Sequence, residues 1–212
     1  MNIELNLFLI FLIFISAAIH IVADYKFKKI IYFTKPIPML IIIGIFLQNF
    51  NDFSSSKIII LLGFIFSLAG DIFLINKYQF VKGLFLFLIA HIFYIIFVLT
   101  TSQFHFSLIL FAISILVFSI FYFIIIININ SNKSFVIIYA CIILFLLWQS
   151  CEQAIHLQSQ TSIIFAIGIF LFVFSDLTLA YNKFVKKFNS AQLIILSTYF
   201  LAQTLILISI IN

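Results

Sequence analysis

The sequence predicts an all-α integral membrane protein with eight transmembrane helices. Hydrophobic residues make up 66% of the 212-residue chain, and charged residues make up only 8%. So few charges cannot cover the surface of a water-soluble domain of this size, so we expect lipid to surround most of the chain. In lipid every backbone N–H and C=O must be paired within the protein, which leaves helices or a closed barrel. The apolar runs are continuous and of helix length, unlike the alternating pattern of barrel strands.

Eight apolar runs make up a single predicted transmembrane domain, residues 1–212. The second run is short and begins after Lys35, at Pro36, and proline is well accepted in the first turn of a helix. The predicted spans are residues 5–22, 36–50, 57–75, 80–99, 104–127, 134–151, 161–181 and 190–211.

The lysines predict how these spans are oriented. With eight spans the odd-numbered loops share one side, and that side holds ten of the eleven lysines. The other side holds Lys57 together with Glu4, Asp52 and Glu152. Because cytoplasmic loops are enriched in basic residues, we expect both termini outside the cytoplasm. We also expect the protein to lie in the inner membrane of a bacterium. The net charge of +5 comes from lysines in short loops, so it does not indicate nucleic-acid binding.

Two stretches of the chain resemble each other at a constant offset. The matched pairs are Gly63/Gly168, Asp71/Asp176, Leu74/Leu179, Lys82/Lys187 and Tyr94/Tyr199. Segments rich in Ile and Phe resemble each other by chance, but the chain has only four aspartates. We therefore predict two parallel four-helix repeats, at about residues 1–105 and 106–212, related by an axis along the membrane normal.

Asp71 and Asp176 are the candidate functional centre. Each lies inside an apolar helix, about one to two turns from the end predicted to be cytoplasmic. A carboxylate in hydrocarbon is energetically costly, and an acid at such a position marks a functional site by default. The alternatives are snorkelling to the nearby interface and a purely structural pair with a lysine. If the repeat holds, both aspartates lie at one depth and could face a central cavity.

Other polar residues lie on the same helices and could orient a substrate or hold water. His91 and Tyr94 lie about one turn apart on one helix face, as do Tyr199 and Gln203. The alternative for a tyrosine is interfacial anchoring, and for His91 it is packing in the core. The candidate orienting residues on this basis are Lys35, Ser67, His91, Tyr94, Tyr139, Ser175, Tyr199 and Gln203.

The sequence lacks the motifs that a metal site or a serine nucleophile would require. The four histidines are scattered over different spans, and no HxxxH, HExxH, CxxC or GxSxG motif is present. We therefore expect no metal and no cofactor. Acid–base chemistry by carboxylates and proton-linked transport are the functions that remain.

Several blocks of the sequence are typical of a known family. They are Lys35-Pro36 and residues 66–74, 80–84, 91–94, 174–180, 182–184 and 198–203. Taken together, the Gly-Asp and Ser-Asp pairs and the Tyr-x-x-Ala-Gln ending resemble the YhhN/lysoplasmalogenase family of polytopic membrane proteins. The resemblance covers about residues 30–208, nearly the whole chain, and it adds Asn182 to the candidate site.

The resemblance implies hydrolysis of the vinyl ether bond of a lysophospholipid, the lysoplasmalogen, to a fatty aldehyde and a glycerophospho-base. Such a bond is cleaved by protonating its β-carbon, after which the oxocarbenium ion takes up water and the hemiacetal collapses. A carboxylic acid and a carboxylate suit this reaction, because like charges held close together cannot both ionise easily. Asp71 and Asp176 are then catalytic, with the two roles unassigned, and Lys35 either attracts the lipid phosphate or anchors its span.

A proton-coupled transporter of a small molecule or lipid is the alternative function. Parallel repeats with carboxylates near the middle of the membrane are common in transporters as well. A third interpretation is a non-catalytic membrane scaffold, in which the buried acids would cost energy without serving a function.

Overall fold

The structure is a computed structural model that describes residues 3–49, 54–129 and 132–211. Within these ranges the chain forms nine α-helices joined by turns. They are α1 (Ile3–Lys26), α2 (Ile31–Thr34), α3 (Ile37–Gln48), α4 (Ser55–Ile75), α5 (Phe80–Thr101), α6 (Leu108–Ile124), α7 (Lys133–Leu157), α8 (Gln160–Phe184) and α9 (Ala191–Ile211). Asp52, which was expected in an outer loop, lies outside the described residues.

Eight segments of the described chain are long and apolar enough to cross a membrane, which confirms the predicted all-α integral membrane fold. They are Phe8–Lys26, Lys28–Gln48, Ser55–Ile75, Lys77–Thr101, Leu108–Asn128, Lys133–Leu157, Gln160–Phe184 and Ala191–Ile211. The second span consists of α2 and α3 together. The protein is therefore a multi-pass membrane protein.

The predicted start of the second span at residue 36 is wrong. In the structure this span begins at Lys28 and passes through α2 before α3. Pro36 lacks an N–H and interrupts the helical hydrogen bonds, but the chain before it still folds into helical turns. Thr34 Oγ1 donates to the carbonyl of Ile30 at 3.2 Å and supports these turns. Lys35 is consequently buried inside the span and not exposed at its end.

α7 also extends beyond residue 151, where the predicted span ends, and the extension contains a buried acid. Glu152, which was expected in an outer loop, is buried within α7. Its Oε1 accepts hydrogen bonds from the backbone N–H of Ser107 at 2.7 Å, from Ser107 Oγ at 2.8 Å and from Trp148 Nε1 at 2.8 Å. These donors compensate the carboxylate for its lost hydration and tie α7 to the N-terminus of α6.

Seven of the described helices form a closed ring, in the spatial order α9, α1, α3, α4, α5, α7 and α8. α6 instead packs against α7, and only 17% of its span is buried, compared with 56% for α9. This arrangement departs from a strict repeat, because α1 contacts both halves whereas its counterpart α6 does not take the matching place. The duplication and the location of both termini outside the cytoplasm stay predictions.

Aromatic side chains fill the middle of the ring. The ring of the fully buried Phe172 meets other rings edge-on, with centroids 4.5 Å from His91, 5.4 Å from Tyr199 and 6.0 Å from Phe87. Lipid tails are as apolar as these side chains, so van der Waals packing and hydrogen bonds drive helix association here. Phe172 thereby fixes the separation of α5, α8 and α9.

Two glycines of the predicted repeat allow close packing of neighbouring helices. A Cβ at Gly63 would overlap the Tyr94 ring, and a Cβ at Gly168 would lie 3.0 Å from Ile206 Cγ1. Small residues at such interfaces let helix backbones approach each other. By contrast, a Cβ at Gly44 would meet no atom within 4 Å.

We expect Gly63→Ala to lower the thermal stability of the purified protein, because the added methyl group displaces the buried Tyr94 ring. Gly44→Ala is the matched control, since it makes the same change in a helix where space is open. Glycine costs about 0.5–1 kcal/mol in a helix, so the control should be unchanged or more stable. Unfolding midpoints in detergent compare the two, and a wild-type midpoint for Gly63→Ala contradicts the packing of α4 on α5.

Candidate active site

Asp71 and Asp176 line one cavity of about 360 Å³. α4 supplies Asp71 and α8 supplies Asp176, and residues of α5 and α9 complete the wall. The wall also carries four lysines, which are Lys35, Lys77, Lys183 and Lys187. The cavity therefore brings two carboxylates and four ammonium groups together at one end of the helix ring.

Asp71 is paired with a cation and a hydroxyl group from two other spans. Its Oδ1 lies 3.9 Å from Lys35 Nζ, and its Oδ2 accepts a hydrogen bond of 2.7 Å from the Tyr199 hydroxyl. The side chains of Asp71 and Lys35 are 3% and 11% exposed, so little water screens the pair. A buried charge is tolerated when it is paired and hydrogen-bonded in this way.

Asp176 has neutral partners instead. Its Oδ2 accepts a hydrogen bond of 2.7 Å from the Tyr139 hydroxyl. The same oxygen lies 3.6 Å from Nε2 of His91, slightly beyond the distance of a direct hydrogen bond. In the described part of the chain this buried nitrogen has no direct hydrogen-bond partner. This nitrogen is therefore available to a polar group of a ligand beside Asp176.

Each aspartate takes one partner from the span that precedes it. Lys35, in the second span, serves Asp71, and Tyr139, in the sixth span, serves Asp176. The partners lie at similar places but differ in charge, because one is an ammonium group and the other a hydroxyl group. Two acids at matching positions in the sequence thus have unlike surroundings.

Ser67, Tyr94 and Gln203 form a second buried polar group. The Tyr94 hydroxyl donates to Gln203 Oε1 at 3.0 Å and lies 3.4 Å from Ser67 Oγ. Tyr94 matches Tyr199 in the predicted repeat, yet it bonds an amide and not an aspartate. The group joins α4, α5 and α9, and it holds the helix turn of α9 that carries Tyr199.

Ser175 and Asn182 line the cavity but direct their hydrogen bonds to the backbone. Ser175 Oγ donates to the carbonyl of Ile195 at 2.9 Å, which links α8 to α9. Asn182 Oδ1 accepts from the backbone N–H of Phe188 at 3.2 Å and shapes the turn after α8. Both residues support the wall of the cavity.

A second polar cavity, which no sequence pattern indicated, lies beside the first. It measures about 460 Å³ and shares Lys35 and Lys77 with the aspartate cavity. His20 lines it, is buried, and has Nδ1 at 3.0 Å from Thr34 Oγ1. No spacing in the sequence relates His20 to Thr34, because their contact depends on the turn between α1 and α2. Lys77, Lys183 and Lys187 were visible in the sequence, but only as markers of orientation.

Comparison with known proteins identifies the family of this chain. The profile of the YhhN family matches residues 30–210. The chain belongs to the YhhN family. It is 31% identical, over 157 residues, to the lysoplasmalogenase TMEM86A of Homo sapiens and to that of Bos taurus. Each alignment covers 71% of this chain and 64% of the relative, so the chain spans less than two thirds of the length of these relatives. No solved structure matches it.

The YhhN match contains the groups that contact either aspartate. Lys35, Tyr139, Tyr199 and His91 all lie within residues 30–210. His20 lies before the matched region, so the second polar cavity is only partly made of residues that the family profile covers.

The Lys35–Asp71 pair can be tested by a double-mutant cycle on thermal stability. Lys35→Met keeps a long side chain but leaves the buried acid without its cation, and breaking a buried pair costs about 3–5 kcal/mol. We expect Lys35→Met to lower the unfolding midpoint strongly, and Lys35→Met with Asp71→Asn to recover part of the loss. Strictly additive effects of the two substitutions would show that the pair does not interact.

Proposed function

We propose that this YhhN protein is a membrane-embedded hydrolase that cleaves the vinyl ether bond of lysoplasmalogen-type lysophospholipids. The observation that carries the proposal is the single cavity shared by Asp71 and Asp176, one beside an ammonium group and the other beside neutral groups. The substrate class comes from the name lysoplasmalogenase that two relatives bear. The products are a fatty aldehyde and a glycerophospho-base.

The unlike partners support unlike roles for the two acids. Asp71, ion-paired with Lys35, supplies the carboxylate that stabilises a developing cation. Asp176, held by Tyr139 and next to His91, delivers a proton to the β-carbon of the vinyl ether. Protonation moves the π electrons so that the α-carbon and the ether oxygen share the positive charge as an oxocarbenium ion.

Water then completes the reaction and restores the acid. Nε2 of His91, which has no hydrogen-bond partner among the described residues and lies 3.6 Å from Asp176 Oδ2, can hydrogen-bond a water molecule beside the α-carbon. As this water adds, its proton passes to Asp176, which is thereby ready for another turnover. The resulting hemiacetal breaks its C–O bond to the glycerol oxygen, and the hydroxyl proton moves to that oxygen as the aldehyde leaves. The Tyr139 hydroxyl keeps the carboxyl of Asp176 in position throughout.

The lysines of the cavity suit the phosphate of a lysophospholipid. Lys77, Lys183 and Lys187 lie in the wall with the aspartates, and Lys35 is committed to Asp71. An ammonium group binds phosphate as a point charge. Under the positive-inside rule these lysines face the cytoplasm, so the head group enters from the cytoplasmic leaflet of what we propose to be a bacterial inner membrane.

Purified protein incubated with 1-alkenyl lysophospholipid should release fatty aldehyde, measured by coupled reduction or mass spectrometry. Asp176→Asn should lower kcat by about 10²–10⁴-fold, because general acid catalysis is worth that much. Asp71→Asn should also lower kcat, by about 10²–10³-fold, as the cation loses its counter-charge.

Glu152→Gln is the matched control for both variants. It also converts a buried carboxyl to an amide, but Glu152 does not line the aspartate cavity. We expect it to retain aldehyde release. Full activity in an Asp71→Asn, Asp176→Asn double variant would contradict the proposed mechanism.

A further inference from the structure

A long apolar groove runs between α6 and α8 on the outside of the ring. It measures about 770 Å³, within the roughly 300–1,000 Å³ typical of ligand sites. α6 contributes Ile120 and Phe121, α8 contributes Leu177 and Thr178, and Lys186 lies at one end. Since both helices span the membrane, the groove opens to lipid.

The groove lies at the depth of the proposed acid. Its residues on α8 include Phe174 and Leu177, which bracket Asp176 along the helix. A residue in an α-helix rises by about 1.5 Å, so the carboxyl and the groove occupy the same layer of the membrane. The groove and the aspartate cavity therefore lie on opposite sides of one helix.

A narrow, mainly apolar void lies between these two sides. It measures about 20 Å³ and is lined by Tyr139 and Asp176 together with Phe121 and Leu177. Asp176 also lines the aspartate cavity, whereas Phe121 and Leu177 also line the groove. The side chains of Phe121 and Leu177 are thus the barrier between the acid and the groove.

We propose that this groove is the binding site for the hydrocarbon chain of the substrate. The proposal rests on the proposed function, because the β-carbon that Asp176 protonates carries that chain. The wall of the aspartate cavity mixes apolar residues with two acids and four lysines, whereas the groove is lined almost entirely by apolar and aromatic side chains. The void beside Asp176 is apolar and leads to the groove past Phe121 and Leu177. The chain therefore passes between these two side chains and lies along α6.

In this binding mode the polar and apolar parts of the substrate lie in different sites. Its head group stays with the lysines of the cavity, its vinyl ether lies at Asp176, and its tail lies in the groove. Lys186, at the end of the groove, marks the level of the membrane interface, where lysine side chains reach head groups. The length of the groove then limits which chain lengths are cleaved well.

Photo-crosslinking tests where the chain binds. The probe is a 1-O-alkyl lysophospholipid with a diazirine at the chain end, whose saturated ether cannot be protonated at a β-carbon. We expect adducts on residues 117–125 and 174–181, reduced at least about fivefold by excess unlabelled 1-O-alkyl lysophospholipid. Adducts spread over all lipid-facing helices, or adducts that the competitor does not reduce, overturn the proposal and indicate ordinary surrounding lipid.

Chain-length selectivity gives an independent measurement. Leu177→Trp narrows the gap beside Asp176, and Thr178→Trp fills the groove from its lipid side without entering the gap. Both should lower kcat/KM at least tenfold for a 16-carbon alkenyl chain, and Thr178→Trp should leave a 4-carbon chain, which ends within the gap, little changed. The control is Leu116→Trp, on α6 but outside the groove, where the side chain is already 60% exposed.

Equal losses for both chain lengths in Thr178→Trp, or no loss for the 16-carbon chain in either variant, overturn the groove as the chain site. A wild-type protein that releases no aldehyde from either substrate contradicts the proposed function, and the crosslinking pattern then still decides whether the groove binds a lipid chain.

Discussion

The need to hold two carboxyl groups inside an apolar helix ring governs this structure. An acid in hydrocarbon is unfavourable unless other groups replace its lost water. Here a tyrosine hydroxyl lies 2.7 Å from an oxygen of each acid, Tyr199 for Asp71 and Tyr139 for Asp176. The first bond joins α4 to α9 and the second joins α7 to α8, so satisfying the acids also ties four helices of the ring together in two pairs.

Packing then keeps the acids together without making them alike. Phe172 fills the centre of the ring between His91 and Tyr199, so the helices around the cavity cannot close on one another. Within that frame Asp71 has a lysine beside it and Asp176 has a histidine. A reaction that needs both a proton donor and a counter-ion benefits from this difference, because two acids in one low-dielectric site must divide their roles.

Sequence reasoning found the parts of the site that carry a strong local signal. An aspartate in an apolar helix stands out in the sequence because it is a charged residue within an apolar run. The eight spans were predicted from apolar runs of helix length. The partners of the aspartates were harder to assign. Lys35 was expected at the end of its span because Pro36 normally starts a helix, but helical turns continue before the proline and bury the lysine.

Other features depend on three-dimensional packing and leave no trace in spacing. The repeat suggests that Tyr94 and Tyr199 act alike, yet one bonds Gln203 and the other bonds Asp71. The groove beside α6 also depends on how the helices pack, although the sequence does mark the α6 span as the most apolar of the eight, as suits a helix largely exposed to lipid. Glu152 was placed in a loop because a charge normally ends a span, whereas hydrogen bonds from Ser107 and Trp148 keep it inside α7.

An experimental structure of the protein with a bound 1-O-alkyl lysophospholipid would show where the reacting atoms lie relative to the two aspartates. We expect the carbon that corresponds to the β-carbon at about 3.5 Å from the Asp176 carboxyl, as in a reactive arrangement. We also expect the phosphate among the lysines of the cavity, and Asp71 facing the ether oxygen. An ether group bound away from the aspartates, or two aspartates that face separate compartments, would contradict the proposed mechanism.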